Sequence, residues 1–231
     1  MSLADDIRAL RDRVLADLIA SHDYYADTQI AWQIVSMFVQ AGNTVSIRNA
    51  TTGTITTQAD LARKAQNYVA EQLAEATFQQ FISIFENYFF DLLRLWLMEY
   101  PQNLIGKKVD FKSVLDAPDK DAITLLVVNK ELNEVLYERP AGWFAYLESK
   151  AKLGCPTPDE IDLIAEAKAS RDVLVHNRGF ASKAYEFKSG KFARYKAGQR
   201  IEVPEHYHRE SWELIHKVIT DISNAAIAKV S

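Results

Sequence analysis

The chain has 231 residues, of which 48% are hydrophobic and 25% charged, with a formal net charge of −4. This is the composition of a folded globular protein with room for one sizeable domain, which excludes a disordered or fibrous chain. The negative balance argues against indiscriminate binding to nucleic acid, and no apolar run is long enough to span a membrane.

Eight glycines and six prolines are few for this length and favour an all-α architecture. The first residues lack the basic and apolar regions of a signal peptide. The single cysteine, Cys155, permits no internal disulfide. Both features lead us to expect a cytoplasmic protein.

In chain order, Leu3, Ile7, Leu10, Val14, Leu18 and Ile19 repeat with helical spacing. A second series, Ile30, Ile34, Met37 and Phe38, runs on to Gly42, a helix stop. Residues 43–57 turn to Thr, Ser, Asn and Gly around Val45, Ile47 and Ile55, which predicts a polar hairpin or loop insertion. A long helix is expected from Gln58 to about Tyr100, ended by Pro101. Phe78, Phe81, Phe85, Phe89, Leu92 and Trp96 form its apolar face, while Glu86, Asn87, Asp91 and Arg94 read as its solvated side.

After an irregular stretch over 101–121, two further helices are expected, Asp121–Glu138 and Pro140–Leu153. Thr157-Pro158-Asp159-Glu160 is a full helix start, with a capping threonine, proline in the first turn and a glutamate to close a capping box. That helix carries to Asn177–Gly179. The stretch 183–203, with Tyr185, Phe187, Phe192, Tyr195, Ile201 and Val203, reads as a short β excursion. A last helix opens after Pro204 and turns Trp212, Ile215, Val218, Ile219 and Ile222 inward.

The heptapeptide Arg171-Asp172-Val173-Leu174-Val175-His176-Asn177 holds the chemistry. Arginine grips phosphate best, and histidine exchanges protons near neutral pH. Asp172 and His176 stand four apart, so the carboxylate is placed to orient the imidazole and favour its charged form. The Val-Leu-Val run between them is expected to fix the backbone in a core. At about 100° per residue, Arg171 lies about 140° round the helix from His176, so the two flank a ridge. The same pair is also a plain stabilising arrangement for a helix end. Between Lys168 and Arg200 nine basic residues face only Asp172 and Glu186, a local +7 that fits an anionic partner or a solvated lysine-rich face. His206 and His208 splay apart and read as surface residues, without the second cluster a zinc site needs.

Arg171-Asp172 followed by three residues and His176 resembles the signature of the HEPN superfamily. Phe85-Glu86-Asn87-Tyr88 is similar to that family's earlier helix, and the stretch after Asn177 to the short β excursion of its prokaryotic toxin and defence members. The resemblance covers roughly residues 60–231. It implies an up-and-down helical bundle over the whole chain, a homodimer with the two motif helices face to face, and a metal-independent endoribonuclease. RNA is the implied partner, together with an antitoxin or regulatory protein. In that scheme His176 would assist attack of a ribose 2′-hydroxyl or protonate the leaving oxygen. Arg171 would stabilise the phosphate, Asp172 would hold the histidine, and Arg178, Asn177 and Glu86 would bind substrate. No metal and no cofactor is required. The family toxins regulated by nucleotide transfer carry a tyrosine two residues after the histidine; here that position is Arg178. Some members of the family are scaffolds without activity, which leaves a non-catalytic RNA-, nucleotide- or protein-binding module as the alternative.

Overall fold

A computed structural model describes residues 2–231, with only the backbone of Gln66 and Ala70. The chain is all-α: α1 (Leu3–Gln40), α2 (Gln58–Asn67), a π turn (Tyr68–Leu73) leading into α3 (Ala74–Glu99), α4 (Phe111–Asp116), α5 (Lys120–Leu136), α6 (Pro140–Ala151), α7 (Pro158–His176), α8 (Lys183–Ser189) and α9 (Glu205–Val230). Among the described residues, β pairing is limited to two isolated antiparallel bridges, Arg48 with Ile55 and Phe180 with Arg200.

Local signals set most helix ends. Ser2 and Asp5 form a capping box at the start of α1, and Thr157 and Glu160 form one at α7; each satisfies backbone N–H groups that have no partner inside the helix. Pro101 follows the last residues of α3 and starts a short 3₁₀ turn. The two apolar series of the first forty residues belong to one unbroken helix, α1. The irregular stretch before α5 contains that 3₁₀ turn and the single-turn α4, capped by Asp110.

The core is built on the stripes of α1, α3 and α9. Ile7, Leu18, Phe78, Phe81, Phe89, Leu92, Val218, Ile219 and Ile222 are fully buried together. Each such side chain contributes about 1.5–3 kcal/mol by leaving water. Two polar tips inside this core are paired: the Tyr88 hydroxyl lies 2.7 Å from Ser223 Oγ, and Trp212 Nε1 donates to the Leu18 carbonyl at 3.3 Å. Tyr88 thus fastens α3 to α9, not to α7.

Of the two expected insertions, the first is a loop and the second takes another form. Residues 43–57 are a loop closed by the single Arg48–Ile55 bridge. The stretch 183–203 is not a β excursion. It is α8, capped by Ser182, then a 3₁₀ turn (Gly190–Phe192) and a loop closed by the Phe180–Arg200 bridge. Tyr185 and Ser189, four apart, are the buried pair of α8, while Phe187 is 70% exposed. The spacing of two from Tyr185 to Phe187 therefore carries no alternation of burial.

A candidate site at the end of α7

Helix α7 lies against α6, α8, α3 and α9, and its polar residues divide into a buried hub and a half-buried ionic cluster. The hub is Glu166, 2% exposed. Its carboxylate accepts from Ser170 Oγ at 2.7 Å, Tyr185 Oη at 2.8 Å, Tyr207 Oη at 2.6 Å and Arg194 Nε at 3.1 Å. The Arg194 guanidinium lies 3.2 Å from the Tyr207 ring centroid. Burial, and then the Glu166 charge, raises the pKa of Tyr207 far above the ordinary tyrosine value and that of Tyr185 in the same direction, so both hydroxyls stay protonated donors. Glu166, Tyr185, Tyr207 and Arg194 thus tie α7 to α8 and α9.

One turn further on, the ionic cluster joins α7 to α3. Arg171 forms an ion pair with Glu86 and lies 3.3 Å from Asp172. Lys168 approaches Glu86 at 2.8 Å and Asp172 at 3.6 Å, and Lys188 on α8 approaches Asp172 at 3.4 Å. Glu86 is therefore half-buried in the cluster and not on a solvated face, as Arg171, Asp172 and Lys168 are. Three cations meet two carboxylates, which leaves one positive charge. The buried Arg171 Nε has no protein acceptor.

Beside this cluster a cleft of about 190 Å³ is lined by Arg139, Lys168, Asp172, Lys188 and Tyr137, among others. Its rim carries the 90% exposed ring of Tyr137 and the Phe187 ring, over which the Arg139 guanidinium sits at 4.6 Å.

The histidine stands apart. His176 is the last residue of α7 and is exposed. Among the described residues no hydrogen bond or ion pair joins Asp172 to His176: the carboxylate is turned toward Lys168, Arg171 and Lys188. The expected orientation of the imidazole by Asp172 is not realised. Of the Val-Leu-Val run, Val173 is buried, Leu174 is half-buried and packed against the core, and Val175 is 48% exposed.

The helix end has its own geometry. The Gly179 N–H donates to the Val173 carbonyl at 3.2 Å, closing the last turn, and the Asn177 side-chain amide donates to the Phe180 carbonyl. Asn177 therefore serves the turn. Arg178 takes a left-handed backbone, φ +52°, where glycine is usual, and its side chain is exposed. Of the nine cations in the basic stretch, Lys168, Arg171, Lys188, Lys191, Arg194 and Arg200 all have carboxylate partners. The local positive charge is thus largely neutralised within the fold.

Sequence reasoning missed Glu166, Lys168, Lys188 and His208. The first three are ordinary helix residues until their partners are brought in from elsewhere. His208 had a local signal: it falls on the same helical stripe as Ser211, Ile215 and Ile222, and it is 1% exposed. His206 is exposed, so the two histidines do not act together. Cys155 is half-buried and its thiol is pushed up by burial, a poor state for a nucleophile. Among the described residues no group of three or more His, Cys, Asp or Glu is placed to hold a metal ion, and no helix is long and apolar enough to cross a membrane. No family model matches the chain, and no curated protein or solved structure is significantly similar to it.

Proposed function

We propose that this protein is a HEPN-type, metal-independent endoribonuclease of the cytoplasm, toxin-like or defensive, built as an up-and-down bundle and acting as a homodimer. The observation that carries the reading is the placement of two side chains on α7. Arg171 is held in place by Glu86 from α3, and His176 stands exposed five residues on, at the helix end. A helix that offers them about 140° apart supplies half a cleft, and a second copy of α7 would supply the other half.

In such a cleft His176 takes the proton of a ribose 2′-hydroxyl as that oxygen attacks the adjacent phosphorus. The histidine of the other protomer gives a proton to the departing 5′-oxygen, which leaves a cyclic phosphate and a free 5′-hydroxyl. Arg171 stabilises the charge gathering on the phosphate oxygens. Asp172 and Glu86 fix Arg171, a change from the histidine-holding role expected for Asp172 and the substrate-binding role expected for Glu86. Arg178, exposed beside His176 in a backbone conformation unfavourable for a non-glycine residue, meets a neighbouring phosphate. An antitoxin or regulatory protein would act by covering this end of the molecule.

A specific observation favours a second reading. Arg171 already has two carboxylate partners and His176 has no Asp172 contact, which suits a non-catalytic module that binds RNA, a nucleotide or a protein. Cleavage of RNA in EDTA by the wild type and by His176→Ala separates the two. Catalysis predicts a loss of 10²-fold or more in the folded variant. Equal rates in both proteins would remove His176 from the reaction, and salt-sensitive binding without cleavage would establish the module.

A further inference from the structure

The cleft beside the ionic cluster has no part in the reaction above. It lies where the α5–α6 link, α7 and α8 meet: Tyr137, Glu138 and Arg139 come from the link, Lys168 and Asp172 from α7, and Lys188 from α8. Ala165 and Ala169 give its α7 wall depth, because two methyl groups stand where longer side chains would fill the space. Three cations thus meet two carboxylates. Asp172 is shared by Lys168 and Lys188, and Lys168 is drawn further toward Glu86 at 2.8 Å. Glu138 is folded back on α6: its Cβ and Oε2 lie 2.9 Å and 3.2 Å from where a Cβ on Gly142 would stand. There it complements the first turn of that helix, which has no side-chain cap.

Arg139 differs from the two lysines. Among the described residues its guanidinium meets no carboxylate; it sits over the Phe187 ring, 4.6 Å from the centroid. An arginine held by a ring keeps its N–H donors for a second partner. The rings beside it are open to water, Phe187 at 70% and Tyr137, two residues before Arg139, at 90%.

We propose that this cleft binds a nucleoside phosphate, either a free nucleotide or one unpaired unit of an RNA strand. Arg139 and Lys188 take the phosphate, and the base stacks on an exposed ring at the rim. A simple anion would use the cations and leave both rings idle, and an uncharged aromatic would do the reverse. A duplex hides its base faces in its own stack, whereas an unpaired nucleotide offers face and phosphate together. The volume of about 190 Å³ admits a phosphate with its sugar and is too narrow for a partner helix about 10 Å across.

His176 follows on the same face of α7. Ala165, Ala169, Asp172 and His176 are spaced four, three and four, which keeps them within about 60° of one another at about 100° per residue. His176 stands about 6 Å beyond Asp172 along the axis. A strand with one nucleotide in the cleft therefore runs on toward the imidazole. That path rests on the ribonuclease reading, and nucleotide binding does not.

Titration calorimetry on the full-length protein at one salt concentration tests it, with AMP, ribose 5-phosphate and a 2′-O-methyl pentanucleotide that cannot be cleaved. AMP is expected to bind at least tenfold tighter than ribose 5-phosphate. Tyr137→Ala with Phe187→Ala should erase that difference, and Arg139→Gln with Lys188→Gln should weaken AMP tenfold or more. Lys183→Gln with Lys196→Gln removes the same charge from exposed positions outside the cleft and should change nothing. A pentanucleotide that binds through the four cleft residues where AMP does not assigns the site to a strand, and the converse assigns it to a free nucleotide. Binding of neither at millimolar concentration overturns the proposal. So does equal, measurable binding of AMP and ribose 5-phosphate, or a loss from the control lysines as large as that from Arg139 and Lys188. His176→Ala keeps the two readings apart: AMP binding retained, with RNA cleavage absent from wild type and variant alike, removes the ribonuclease and supports the site.

Discussion

His208 shows most plainly what a single residue does here that its neighbours in sequence do not announce. It lies between α1, α3 and α9, with the Tyr25 ring at 4.0 Å, the Phe81 ring at 4.8 Å and the His22 ring at 6.3 Å. Thr77 Oγ1 donates to the Leu73 carbonyl at 2.7 Å and lies 2.8 Å from His208 Nε2, so it accepts the Nε2 proton and the buried Nδ1 is left bare. This is a neutral imidazole. Burial, with His22 acting in the same direction, lowers its pKa to about 4. A histidine whose folded pKa lies below its unfolded value binds fewer protons when folded, so stability falls as pH falls below the unfolded value. The window runs from pH 6.5 down to about 4, and the loss by pH 4 is about 3 kcal/mol at about 1.4 kcal/mol per unit. Urea unfolding of the wild type and of His208→Gln across this window should show the fall in the wild type and a flatter profile in the variant. Parallel profiles would mean that the imidazole is charged within the fold.

At the scale of elements, α7 is held by a carboxylate with four partners, and this predicts the cost of removing it. Glu166→Ala leaves the half-buried Arg194 without its counter-charge, and Ser170, Tyr185 and Tyr207 without an acceptor. Breaking a buried pair from one side costs about 3–5 kcal/mol. The urea midpoint of Glu166→Ala should drop accordingly, and a variant within about 1 kcal/mol of the wild type would show that the hub is not what docks α8. The same helix shows what a sequence discloses. Its start at Thr157 was legible because a capping box is written within four residues, and its end near Asn177–Gly179 because glycine marks a stop. The Glu86–Arg171 pair was not, because its members are 85 positions apart and Glu86 has the spacing of a surface residue. The polar excursion after α7 read as strands because Tyr185 and Phe187 alternate, while the helix-starting Ser182, whose Oγ accepts from the Tyr185 N–H at 3.3 Å, is a weaker mark than a run of aromatics.

At the scale of the whole molecule, burial is uneven along a single helix. The first part of α1 sends Ile7, Leu10, Val14, Leu18 and Tyr25 into the core, while the part after Tyr25, no less apolar, buries none of its side chains. Periodicity alone does not separate these halves, since both repeat at three and four; the change lies in what they meet. The second half of α1 and α2 are two helices without a core of their own and have little to stabilise them, because short helices depend on a packed apolar face more than on propensity. Local opening should therefore be cheap there. Hydrogen exchange gives the expected pattern: the amides of Ala26–Gln40 and of α2 should exchange far faster than those of α3 and α9, whose buried stripes pack in the core. Amides of Ala26–Gln40 that exchange as slowly as those of α3 would show that this face is covered in solution.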